Sequence, residues 1–146
     1  MPVDASAKGK TYPAFEYEVG REKIREYAYA IGAANQVHFD REAARGAGYR
    51  DVVAPPMFAV VYSMRALAPV MFDPEVGMNF ATMVHGGQTF EWGEPACSGD
   101  EITTTAKCIS IDEKLGNGFY VFETTSVNGA GAEVVRGTWT NIVRGV

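Results

Sequence analysis

The chain has 146 residues, 47% of them hydrophobic and 21% charged, which is the balance of one folded domain and not of a disordered chain. Its net charge of −5, without a basic run, argues against nucleic acid as a partner. The longest apolar run, Met57–Met64, is broken by Ser63 and followed by Arg65, far short of the ~20 residues of a membrane span, and the polar first ten residues exclude a secretory signal.

Residues 1–13 are expected to form a loose leader, and residues 14–146 a single domain. The first helix is predicted over Arg21–Ile31, where Ile24, Tyr27, Ala28 and Ile31 make one apolar stripe and Gly32 stands where a C′ glycine ends a helix. Asp40 can cap a short second helix over Arg41–Arg45, closed by Gly46 and Gly48. Pro56 suits the first position of a third helix, Met57–Ala68, with Pro69 stopping it. That helix is apolar nearly all the way round (Met57, Phe58, Val60, Val61, Met64, Leu67), which predicts burial on every side.

Beyond residue 80 the pattern changes to strands. Ile102–Ile111, Gly118–Val127 and Glu133–Val143 are rich in Thr, Val, Ile, Phe and Tyr, and Thr82–Trp92 is an earlier candidate. Leu115-Gly116-Asn117-Gly118 and Asn128-Gly129 are turn signals, and Gly86-Gly87 predicts a bulge or a close backbone approach. Helices first and strands second predict an α+β domain, an antiparallel sheet around one buried helix.

The densest polar stretch is Asn35-Gln36-Val37-His38-Phe39-Asp40, between a helix stop and a helix start. His38 can act as a general base near neutral pH, and Asn35 can orient a carbonyl or a water. A lone loop histidine can equally be structural, and Asp40 is better explained as a cap. The start of the Met57 helix would point free N–H groups at an oxyanion or a thioester carbonyl. His85 beside Gly86 could line a groove or simply sit beside a bulge. Arg41, Arg45 and Arg50 could meet phosphates or form a solvated face. Cys97 and Cys108 are expected to pack as small apolar groups in a reduced, cytoplasmic protein. With two cysteines and two histidines, no structural metal site is expected, and nothing calls for a cofactor.

The run Val19-Gly20-Arg21-Glu22-Lys23-Ile24-Arg25-Glu26-Tyr27-Ala28 resembles the opening of the MaoC-like dehydratase N-terminal domain. The resemblance continues through Asp40…Ala43-Ala44…Gly48-Tyr49, then Val53-Ala54-Pro55-Pro56-Met57-Phe58. It extends through Val84-His85-Gly86-Gly87-Gln88-Thr89-Phe90 and Ser98-Gly99-Asp100, so that it covers the chain from about Gly9 to Arg144. Within the family, the chain looks most like the (3R)-hydroxyacyl-ACP dehydratase subunits of actinobacteria.

The resemblance implies a hot-dog fold. It also implies a dimer with itself or with a homologous MaoC-like subunit, and an acyl thioester of coenzyme A or acyl carrier protein as substrate. The implied reaction is reversible addition of water to a 2-enoyl thioester in fatty-acid metabolism. Active members carry Asp-x-Asn-Pro-x-His after the first helix. Here Asn35 and His38 match, but Ala33 stands at the acid position and Gln36 at the proline. Active members also hold the thioester oxygen with a glycine N–H at the start of the central helix, where this chain has Pro56, which has none. The expected site is therefore His38 and Asn35 for chemistry, with Pro56, Met57, His85 and Gly86 for binding, and it is expected to be degenerate. The rivals are a self-sufficient hydratase using His38, a non-catalytic acyl-binding hot-dog and a thioesterase.

Overall fold

The computed structural model describes residues 2–146. In chain order the elements are β1 (Phe15–Glu18), α1 (Arg21–Ala30), α2 (Arg41–Gly46), α3 (Ala59–Met71), β2 (Met83–Trp92), β3 (Glu101–Lys114), β4 (Asn117–Val127) and β5 (Glu133–Arg144). Short 3₁₀ turns cover Gln36–His38 and Pro56–Phe58. The strands form one antiparallel sheet in the order β1-β3-β4-β5-β2. Strict alternation of buried and half-buried residues along β4 marks one face as the inner one.

That face wraps α3. At one end Ala66, Leu67 and Val70 pack on Cys108, Phe122, Trp139 and Val143. At the other, Phe58, Ala59 and Tyr62 pack with Val19, Ile24, Ile102 and Val135. Polar side chains on the inner face pair with one another: the Thr104 and Ser126 hydroxyls lie 2.7 Å apart, and the Trp139 indole donates to Thr124 at 2.9 Å. A sheet wound round one helix is the hot-dog arrangement that the resemblance implies. Among the described residues no helix is long and apolar enough to cross a membrane.

Three expectations need correction. The third helix starts as a 3₁₀ turn at Pro56 and runs on as α3 to Met71, through Pro69. Pro69 is tolerated because the carbonyl it leaves without a partner, that of Arg65, lies on the exposed side, where water can take it. Nor is the helix buried all round. Its covered face is Ala59, Tyr62, Ser63, Ala66, Leu67 and Val70, while Met57 and Met64 are 46% and 42% exposed.

The leader is not loose. Gly9 donates to the Cys108 carbonyl at 2.8 Å, Cys108 donates back to Lys10 at 2.9 Å, and Ala7 is buried. Lys10 Nζ then reaches Asp73 and Glu75, each at 2.7 Å, and the Tyr12 hydroxyl donates to Asp73 at 2.7 Å. A polar leader carries little apolar signal for this docking, because backbone bonds and one ion cluster make much of it, beside the packing of Val3, Ala7 and Tyr12 on the core. The Lys10 ammonium, then the Tyr12 hydroxyl and the Glu75 N–H, pull the Asp73 carboxyl down to about 2 from the usual 3.8. A depressed carboxylate stabilises the fold fully above its unfolded value, and that contribution is lost as pH falls through the folded value. Stability should therefore drop between about pH 4 and pH 2, and Asp73→Asn should flatten that part of the curve; parallel acid-unfolding curves for parent and variant would contradict it.

The strand bounds agree with expectation to within a few residues, and β1 is an additional short strand on the edge beside β3. The bulge lies between His85 and Gly87. A Cβ at Gly86 would stand 2.5 Å from Ile142 Cδ1, so any larger residue there must displace the Ile142 side chain.

Candidate functional site

The loop after α1 is built by caps. Gly32 adopts φ +69°, Gly32 N–H returns to Tyr29 and Ala33 N–H to Ala28, which closes the helix in a Schellman motif. The chain then drops to Asn35, whose side-chain oxygen accepts Val37 N–H at 3.1 Å and caps the Gln36–His38 turn. Asp40 accepts Glu42 N–H at 3.1 Å and caps α2, as its position in the sequence suggests. The Asn35 oxygen and one Asp40 oxygen are therefore engaged by backbone.

Between the caps, the half-buried His38 ring points Nδ1 at the Val53 carbonyl, 2.7 Å away. A carbonyl only accepts, so Nδ1 carries a proton, and in the neutral ring Nε2 is then the nitrogen with the lone pair. Val53 N–H in turn donates to Val37 at 2.9 Å. One residue thus grips the His38 turn from both of its backbone groups. A neutral imidazole with a fixed, unprotonated Nε2 is a general base ready to accept a proton.

Three residues past Val53 the chain reaches Pro56. Val53, Pro56, Phe58, Tyr62 and Trp92 line a cavity of about 200 Å³ over the start of α3. Pro56 offers no N–H, and Phe58 N–H is spent on Pro55. Among the described residues no acceptor takes Met57 N–H, so it is the free donor at this helix entry. Burial pushes the Tyr62 phenol up, which keeps it neutral. A wider hollow of about 840 Å³ adjoins this cavity across Tyr49, Glu94 and Pro95.

The expected residues thus fall into two places. Asn35 and His38 share one turn, clipped through Val53 to the segment that leads into Pro56 and Met57. His85 and Gly86 do not join them within one chain: Trp92 reaches the cavity, and His85 lies seven residues back along β2, roughly 20 Å at strand spacing. His85 is exposed, with its ring stacked on Trp139 at 5.8 Å and its Nε2 3.1 Å from the Gln88 side-chain oxygen.

The three arginines have carboxylate partners: Arg41 on Asp51 at 3.2 Å, Arg45 on Glu42 at 3.9 Å, Arg50 on Asp100 at 2.7 Å. Both cysteines are buried free thiols, and burial pushes both up, away from thiolate chemistry. Sequence reasoning missed Val53, Tyr62 and Trp92. A backbone carbonyl carries no residue signature, and the two aromatics look like ordinary core residues.

A sheet wrapped on one helix, with a histidine turn beside the helix entry, is the MaoC-like hot-dog of the dehydratases. Residues 6–136 match the family described as FAS1-like, dehydratase domain region, and the chain belongs to that family. It is 42% identical over 146 residues to a UPF0336 protein of Clavibacter michiganensis, covering 99% of this chain and 98% of that one. It is similar to a solved chain of the C-terminally truncated HadBC (3R-hydroxyacyl-ACP dehydratase) complex of Mycobacterium tuberculosis, with 27% identity, a TM-score of 0.84, and coverage of 96% of this chain and 99% of that one. It also resembles a structure titled MaoC-like dehydratase, with 30% identity and a TM-score of 0.86, covering 95% of this chain and 42% of that one.

Proposed function

We propose that this chain is a subunit of a cytoplasmic (3R)-hydroxyacyl-thioester dehydratase or 2-enoyl hydratase system, with an incomplete site of its own that binds the acyl thioester. The observation that supports this reading is the His38 ring on the carbonyl of Val53, three residues before Pro56, which brings no N–H to the helix entry. In the hydration direction, His38 Nε2 takes a proton from water as the hydroxyl adds to C3. The thioester oxygen gains negative charge, and C2 then takes a proton. The base is present. The carboxylate expected at position 33 is absent, and of the oxyanion donors only Met57 N–H is available. The free Met57 N–H also favours a second reading, a self-sufficient hydratase in which His38 both accepts and returns the proton.

Assembly is part of the proposal. β2 is an open sheet edge with Val84 and Trp92 exposed, and Met57 in the 3₁₀ entry and Met64 on α3 lie uncovered. These features suit a second hot-dog, either another copy or a MaoC-like partner, and the similarity to a subunit of the HadBC complex supports the heteromeric choice. Crotonyl-CoA hydration by the purified chain, alone and with a MaoC-like partner subunit, tests the reading. Activity that needs the partner supports the first reading. Full activity alone, abolished by His38→Ala, supports the second, and no activity or thioester binding in either preparation rejects both.

A further inference from the structure

Asp100 carries a buried carboxylate that the proposed chemistry does not use. Its side chain is 6% exposed and accepts two hydrogen bonds beside a further ion-pair contact. Arg50 Nη1 lies 2.7 Å from Oδ1, Arg50 Nη2 lies 3.0 Å from Oδ2, and Cys97 N–H donates to Oδ2 at 2.9 Å. This is a two-pronged guanidinium pair, the stronger kind of charge-assisted contact.

Its two partners have a common neighbour. Cys97 forms an isolated antiparallel bridge with Val53, flanked by Ala54 N–H to Ala96 at 2.8 Å and Ser98 N–H to Val52 at 2.9 Å. Arg50 stands three residues before Val53 on the other side of that bridge. One carboxylate therefore holds both strands of the lacing that fixes the Val53 carbonyl, and that carbonyl holds the proton on His38 Nδ1.

We infer that Asp100, with Arg50, is a positioning residue for His38. It fixes the Val53 carbonyl, and through it the imidazole tautomer that leaves Nε2 free. The inference rests on the reading of His38 as the base, but its test reads the ring itself and not turnover. Asparagine at 100 keeps the shape and loses the charge. Its amide nitrogen then stands either in place of Oδ1, against Arg50 Nη1, or in place of Oδ2, against both Arg50 Nη2 and Cys97 N–H, donor against donor, so at least one of the three contacts fails.

The chain has two histidines, and they make opposite bonds: Nδ1 of His38 and Nε2 of His85 each face an oxygen that accepts. Nitrogen NMR of the two rings, above the imidazole titration range and assigned with His85→Gln, should show distinct tautomer patterns. Asp100→Asn should collapse the His38 pattern toward an average of the two tautomers and leave His85 unchanged. Arg50→Gln should shift it in the same direction; it leaves the buried carboxylate with the glutamine amide and Cys97 N–H as donors, so the two variants perturb the pair by different routes. Arg136→Gln, which removes an exposed pair with Glu133, is the control and should change neither ring. A folded Arg50→Gln or Asp100→Asn variant with the parent His38 pattern would overturn the inference. A failed hydratase assay with an altered pattern would count only against the catalytic reading.

Discussion

Purified alone, the chain should hydrate crotonyl-CoA well below the rate of a competent hydratase. General acid–base assistance contributes ~10²–10⁴-fold, and the loss of one oxyanion donor costs a further ~10²–10³-fold. If both deficits operate, turnover falls by at least ~10⁴-fold. If Met57 N–H takes over from the missing glycine N–H, only the first deficit remains, so the size of the loss reports which donor is used. Ala33→Asp with Pro56→Gly should raise turnover. Residue 33 is the C″ position of the Schellman stop, at the negative end of α1, which disfavours an ionised carboxylate and favours the protonated form that an acid needs. Glycine at 56 supplies the N–H at the expense of a more flexible helix entry. A parent rate equal to that of competent hydratases would show that the site works without the carboxylate.

The second large effect is on the fold, and α3 divides it by face. Leu67→Asp places an unpaired charge against Phe122 and Trp139, at a cost of several kcal/mol, enough to unfold a domain of this size. Leu67→Ala should cost about 2–5 kcal/mol. Met64→Asp, on the uncovered side of the same helix, should leave the isolated fold intact and weaken assembly. Thermal melts and light scattering separate the two. Equal destabilisation by Leu67→Asp and Met64→Asp would mean that both sides of α3 are buried within one chain.

This contrast also shows where the sequence misleads. Counting apolar residues round Met57–Ala68 predicts burial on every side, because composition does not say which of them the sheet covers, and Met57 and Met64 stay exposed. Elements with strong local signals were readable: the glycine stop at 32, the Asp40 cap and the composition of β4 between its two turn signals. β1 is four residues long and half polar, so its pairing with β3 decides it more than its own composition does. At the candidate site, Asn35 and His38 could be found because side-chain types announced them. The lacing of 52–54 to 96–98 could not, since backbone groups from distant parts of the chain make it.

The Val53 carbonyl has a consequence for mutational scanning. Every amino acid carries the same carbonyl, so no replacement at position 53 deletes the group that orients the histidine. An alanine scan would score the residue as a modest packing contact, and sequence drift there could proceed without disturbing the imidazole. The orientation is exposed instead to changes in chain length: an insertion or deletion between residues 50 and 54 would slide a different carbonyl under the ring, or none.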